Sequence, residues 1–142
     1  MSKYIFAASF TGCLLLTYIA NYGRTTRFSW LNLREEIVIG GLIYPFFEEL
    51  IFRGIIVYTT SSFKYYKYLN ALLFGLIHVP NIMIHGKIIG IIQSINAIIM
   101  GYLLVDQDSI IKSFLLHSFH NIGLAIVANF YYHILLKHLA IK

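Results

Sequence analysis

The stretch that decides the fold runs from Ile37 to Phe63 and reads IVIGGLIYPFFEELIFRGIIVYTTSSF. It is long enough to cross a bilayer as one helix, which needs about 20 mostly apolar residues. It nevertheless carries Glu48, Glu49 and Arg53. A charge inside a span costs at least about 2.5–3.5 kcal/mol, so these side chains indicate a functional role. A buried ion pair that only fixes helix packing is the alternative.

The composition of the whole chain is that of a membrane protein. Hydrophobic residues make up 58% of its 142 residues and charged residues only 12%. Soluble domains average about 45–50% apolar and about 25% charged residues. The composition of this chain therefore excludes a soluble monomer, a disordered chain and a fibrous repeat. The net charge of +5 comes from basic residues that border apolar runs without forming a dense patch. This distribution is typical of membrane anchors and argues against a nucleic-acid partner. Cys13 is the one cysteine, so no disulfide forms within the chain.

Five apolar runs predict the membrane segments: Tyr4–Tyr22, Ile37–Phe63, Tyr68–Ile84, Ile88–Val105 and Ser113–Leu136. They are expected to be helices, because backbone groups in lipid must be paired internally and no alternating barrel pattern is present. Pro80 should end the third helix near Val79, since proline cannot continue the hydrogen-bond ladder. The sequence therefore predicts an all-α, polytopic transmembrane bundle of about five segments.

The chain divides into three expected parts. Residues 1–36 hold an amino-terminal transmembrane helix and a basic loop, residues 37–136 form the functional bundle, and residues 137–142 are a short basic tail. Basic residues are denser in the loops on the carboxyl-terminal side of the membrane. The positive-inside rule then places the amino terminus outside and the carboxyl terminus in the cytoplasm.

Polar side chains on three separate spans are the candidate functional residues. Glu49 and Arg53 are four apart and share a helix face, whereas Glu48 is turned about 100° away. Glu48 thus lacks an obvious partner, and burial disfavours its charged form, which makes it a candidate general base. His78 lies one turn after Phe74 on the third span. On the last span, His117 and Asn121 are four apart and share a face.

These residue types suit the hydrolysis of an amide without a covalent intermediate. Glu48 and His78 can orient a water molecule and take its proton. His117 and Asn121 can donate hydrogen bonds to a developing oxyanion. A zinc site with Glu48, His78 and His117 as ligands is the main alternative. The chain has no His-Glu-x-x-His helix, and an asparagine one turn after His117 suits an oxyanion better than zinc.

Three motifs, in this order, resemble the CPBP family, the CAAX proteases and bacteriocin-processing enzymes also called the Abi family. The motifs are Glu48-Glu49-x-x-x-Arg53, Phe74-x-x-x-His78 and His117-x-x-x-Asn121. The similar region runs from about Ile37 to about Ala128. The small residues of the fourth span resemble the remaining, less polar motif of the family. Many members have more membrane spans than are expected here.

The resemblance implies an intramembrane, glutamate-type endopeptidase, often labelled a metalloprotease. Glu48 would activate water with His78, and His117 and Asn121 would bind the oxyanion, without a tightly bound metal. Glu49, Arg53 and Phe74 would support them.

The expected substrate is a membrane-associated or prenylated-like peptide or protein, met in the bilayer of a bacterial cell membrane. A partner membrane protein or a second copy of the chain could complete the substrate cavity. Bacteriocin self-immunity, or a scaffold function without proteolysis, is the alternative.

Overall fold

The fold is a helical bundle. A computed structural model of the protein describes residues 7–8, 11–12, 15, 30–107 and 109–139. The predicted first span, Tyr4–Tyr22, lies largely outside the described residues, as does Cys13. Within the described ranges every regular element is a helix.

Residues 30–60 form one run of helical backbone, here called α1. It consists of α-helical, π-helical and α-helical turns in alternation, with the bounds Trp30–Glu35, Glu36–Ile43, Tyr44–Glu49, Leu50–Ile56 and Val57–Thr60. At the ends of the two π-helical segments, a backbone N–H donates to the carbonyl five residues earlier: Tyr44 N–H to Ile39 O, and Val57 N–H to Phe52 O. Such wide turns are rare and often occur at functional sites. Glu48 and Glu49 end the α-helical segment between them.

Four further helices follow: α2 (Tyr66–Leu76), α3 (Asn81–His85), α4 (Lys87–Leu104) and α5 (Ile110–Leu139). The third predicted span therefore stops being α-helical at Leu76, three residues before the expected end, and continues as a turn that leads into α3 through Pro80. Gly86, at a φ of 89°, separates α3 from α4.

Three helical segments of the described chain are long and apolar enough to cross a membrane: Tyr66–Ile84, which combines α2, the turn at Pro80 and most of α3, then Lys87–Leu104 and Ile110–Val127. Large apolar side chains also cover the outer surface, for example Tyr58 at 83%, Met83 at 90% and Ile111 at 72% exposure. Water would disfavour so much exposed apolar surface, whereas lipid accommodates it. The predicted class, a helical transmembrane bundle, is confirmed.

Small residues on α4 let neighbouring backbones approach closely. A Cβ added to Gly101 would lie 3.0 Å from the Cα of Ala71 on α2, and one added to Gly90 would lie 2.2 Å from the Cα of Ile82 on α3. Close approach through small residues is the usual way for membrane helices to pack. As a result α4 is held against α2, and the Gly101 carbonyl lies beside the polar residues of α1.

Candidate active site

Glu48 and Glu49 point into different surroundings, as expected for adjacent residues on a helix. The side chain of Glu49 is completely buried, whereas 23% of the Glu48 side chain is exposed. The Glu49 carboxylate is therefore part of the interior of the bundle, and the Glu48 carboxylate remains accessible.

The buried Glu49 carboxylate connects three side chains. Arg53 Nε lies 3.1 Å from Oε2, which confirms the ion pair expected from the spacing of these residues. The hydroxyl of Ser113 donates a hydrogen bond to the same oxygen. The other oxygen, Oε1, lies 2.8 Å from Nδ1 of His117. The contacts to Ser113 and His117, which join α1 to α5, were not anticipated from the sequence.

Arg53 is anchored by more than its charge. Its Nη2 donates to Gly101 O at 3.3 Å, and its guanidinium carbon lies 4.8 Å from the centre of the Phe74 ring. The Phe74 ring also contacts the rings of His78 and His117, with centroid distances of 5.2 and 5.5 Å. Phe74 is only 1% exposed, so its buried ring provides an apolar surface against which Arg53, His78 and His117 pack.

The ring orientation of His78 follows from the turn before Pro80. The backbone N–H of His78 donates to Gly75 O, three residues earlier, at 3.0 Å. In an α-helix it would donate to Phe74 O, four residues earlier, so that carbonyl is left without this donor. Nδ1 of the His78 ring lies 2.8 Å from Phe74 O instead. A carbonyl only accepts, so Nδ1 carries the hydrogen. In the neutral ring, Nε2 then carries no hydrogen and can accept one.

His78 and His117 both direct Nε2 at the Glu48 carboxylate. Nε2 of His78 lies 4.0 Å from Oε1, and Nε2 of His117 lies 3.5 Å from Oε2. Both distances exceed the usual 2.7–3.2 Å of a direct hydrogen bond, and the longer one leaves room for a bridging water. The structure thus brings together three of the four predicted catalytic side chains.

Asn121, the fourth of them, is tied to the backbone of α1. Its Nδ2 donates to Gly40 O at 3.0 Å, and its Oδ1 lies 3.3 Å from Nδ1 of His120. Gly40 O lacks a helical donor, because Tyr44 N–H bonds Ile39 O and the next residue, Pro45, has no N–H. One N–H of the amide is left over from these contacts. The oxyanion role of Asn121 stays a prediction.

The donor types of Glu48, His78 and His117 are those that zinc prefers. Among the described residues, however, no group of three or more His, Cys, Asp or Glu side chains has an arrangement that could hold a metal ion. The absence of a metal from the reaction stays a prediction.

Glu48 opens onto an apolar cavity of about 560 Å³ between α1 and α2. The cavity is lined by Tyr44, Phe47, Glu48, Ile51, Phe52, Ile56, Leu73, Leu76 and Ile77. Glu48 is the one charged residue in this lining. A polar reactive group beside an apolar chamber is the usual construction of a small-ligand or peptide site.

Fold and site together define an integral membrane protein with a carboxylate–imidazole centre inside a helical bundle. Residues 29–123 match the family model described as type II CAAX prenyl endopeptidase Rce1-like, and the chain belongs to this family. The match confirms the relationship predicted from the three motifs, and it spans all of the predicted site residues. No curated protein and no solved structure matches the chain. Family membership implies a CAAX-type intramembrane protease.

Proposed function

We propose that the protein is an intramembrane endopeptidase in which Glu48 activates a water molecule for attack on a peptide bond. The observation that carries this proposal is the position of two imidazole Nε2 atoms, one opposite each oxygen of the Glu48 carboxylate, at 4.0 and 3.5 Å. A partly exposed carboxylate at the edge of an apolar cavity, flanked in this way, has the composition of a general-base site.

The attacking water would sit between Glu48 and His78. One hydrogen of the water would bond the Glu48 carboxylate and the other would bond Nε2 of His78, whose Nδ1–H is already committed to Phe74 O at 2.8 Å. Glu48 takes the first proton as the water oxygen attacks the scissile carbonyl carbon. The protonated carboxyl group then gives that proton to the departing amine nitrogen, which completes hydrolysis without a covalent intermediate.

His117 and Asn121 would stabilise the oxyanion of the tetrahedral intermediate. A doubly protonated His117 ring can donate from Nε2, and the Glu49 carboxylate, 2.8 Å from Nδ1, compensates the added positive charge. Asn121 contributes the amide N–H that its bond to Gly40 leaves over. Each such donor is worth about 2.7–4 kcal/mol of transition-state stabilisation.

The cavity favours a substrate with apolar groups near the scissile bond. Its lining apart from Glu48 is aromatic and aliphatic, and its volume of about 560 Å³ lies in the usual range for a bound ligand. A membrane-associated peptide, including a prenylated one, has this chemistry.

The test is Glu48→Gln in purified protein reconstituted into liposomes, with a farnesylated CAAX peptide as the probe. The amide keeps the side-chain shape but removes the base, so we expect hydrolysis to fall by about 100–10,000-fold. Glu35→Gln is the matched control, because it is the same change on the same helical run at an exposed position. We expect it to keep the wild-type rate. Wild-type turnover by Glu48→Gln would overturn the proposal. If even the wild-type protein cleaves no peptide, a scaffold or immunity function is favoured.

Metal analysis separates this mechanism from zinc catalysis. We expect the active protein to contain no stoichiometric zinc and to keep its rate in a chelator. Zinc catalysis would instead give one zinc per chain, which is absent from His78→Ala. Chelation would remove the zinc and the activity together, and added zinc would restore both. That result would make Glu48, His78 and His117 metal ligands.

A further inference from the structure

Ser113 lies one helical turn before His117 on α5 and is only 1% exposed. Its hydroxyl donates to Oε2 of Glu49, a residue 64 positions away. The other oxygen of the same carboxylate receives Nδ1 of His117 at 2.8 Å. Ser113 and His117 therefore hold opposite oxygens of one carboxylate.

The Ser113 hydroxyl is the one aligned hydrogen-bond donor to Oε2 among the described side chains. Arg53 Nε is at ion-pair distance from that oxygen, 3.1 Å, but it is not aligned for a hydrogen bond. The ion pair supplies charge, and the directional contact comes from Ser113. Leu104 O is a second acceptor within reach of the hydroxyl, at 3.5 Å, but a carboxylate is the stronger and closer one.

A carboxylate held at one oxygen can still turn about its terminal bond, whereas one held at both oxygens has a fixed plane. Fixing the plane of Glu49 fixes the direction from which Oε1 receives the Nδ1–H of His117. That direction decides where the opposite nitrogen, Nε2, points. In this structure it points at Glu48 Oε2 from 3.5 Å.

We propose that Ser113 is a positioning residue, whose hydroxyl holds Glu49 so that Glu49 orients the His117 ring towards Glu48. Ser113 touches neither the water nor the substrate. This inference rests on the proposed function for its effect on catalysis, but its effect on the His117 ring can be measured in the resting protein.

The kinetic test compares Ser113→Ala with Ser118→Ala. Ser118 is on the same helix and 4% exposed, and its hydroxyl has no hydrogen-bond partner within the described structure, so it is a matched control. Hydrogen bonds to charged groups are worth enough to change a rate by about 10-fold. With the farnesylated CAAX peptide, we expect Ser113→Ala to lower kcat by about 10-fold with KM within about twofold, and Ser118→Ala to match the wild type.

Ser113→Cys distinguishes the hydroxyl from the space it fills. A thiol has nearly the same size but donates weakly, so we expect a loss of kcat close to that of Ser113→Ala. Wild-type kcat in Ser113→Cys would overturn the proposal. The same variant carries the kinetic test if Ser113→Ala does not fold.

The second measurement is the ¹⁵N spectrum of labelled histidine in detergent-solubilised protein, with the His117 signals assigned by their loss in His117→Gln. We expect these signals to shift in Ser113→Ala and to stay in place in Ser118→Ala. Unchanged His117 signals in Ser113→Ala overturn the proposal even if kcat falls, because the loss then does not pass through that ring. If the wild type cleaves no CAAX peptide, the proposed function fails, and the spectrum alone decides the positioning role.

Discussion

Replacing Arg53 with methionine should destabilise the protein strongly while leaving most of the side-chain volume in place. The substitution removes the cation that faces the Glu49 carboxylate and leaves that carboxylate buried among apolar groups. Truncating one partner of a buried ion pair typically costs about 3–5 kcal/mol, because the remaining charge is uncompensated.

The structure sets the size of the effect. The Glu49 side chain has 0% exposure, that of Arg53 has 5%, and the nearest atoms are 3.1 Å apart. At an effective dielectric constant of about 20, that separation corresponds to an attraction of about 5 kcal/mol before the cost of desolvation. Ser113 and His117 still contact the carboxylate in the variant, so we expect the lower end of the range, about 3 kcal/mol. Set against a total stability of about 5–15 kcal/mol, this loss should lower the amount of folded protein.

The assay is the level of folded protein in the membrane together with thermal unfolding in detergent. Lys67→Met is the control, because it breaks the Lys67–Asp106 pair, whose side chains are 35% and 27% exposed. Such a pair is worth less than about 1 kcal/mol. Combining Glu49→Gln with Arg53→Met should recover much of the stability, since no buried charge remains. If Arg53→Met accumulates and unfolds like the wild type yet loses activity, the structural role is refuted and Arg53 belongs to catalysis or substrate binding.

Two further predictions concern helix packing and the backbone of α1. Gly90→Ala should lower the unfolding temperature, because its Cβ would lie 2.2 Å from Ile82 Cα, whereas Gly40→Ala meets no atom within 4 Å and should be tolerated. Asn121→Ala should cost about 1–3 kcal/mol by leaving Gly40 O unpaired, and it should cost less in a Pro45→Ala background, where residue 45 can supply an N–H. Equal costs in both backgrounds, measured by thermal unfolding, would contradict this account.

The helix positions could be predicted because apolar length determines them in lipid. The predicted run Ile88–Val105 corresponds to the observed Lys87–Leu104, and Ser113–Leu136 to Ile110–Leu139. The wide turns of α1 could not be predicted. They depend on which helix supplies partners for the released backbone groups, and apolar periodicity carries no such information.

The pairing of Glu49 with Arg53 was predictable because spacing by four places two residues on one helix face. Spacing does not say which other helix that face meets, so the contact of Glu49 with His117 was missed. A signal for Ser113 was nevertheless present, since it lies four residues before His117 on the same face. A hydroxyl at that position could have been included in the candidate site.

Near each of the two prolines of the chain, a backbone carbonyl without a helical donor is bound by a side chain of the predicted site. At Pro45 the Gly40 carbonyl loses its helical donor, and near Pro80 the tightened turn leaves Phe74 O without one. In water either carbonyl would be solvated, but in a membrane each needs a partner from the protein. The partners are Asn121 and the ring of His78, at 3.0 and 2.8 Å. The carbonyls left without helical donors near the two prolines therefore bind, and so help to orient, two of the four predicted catalytic side chains.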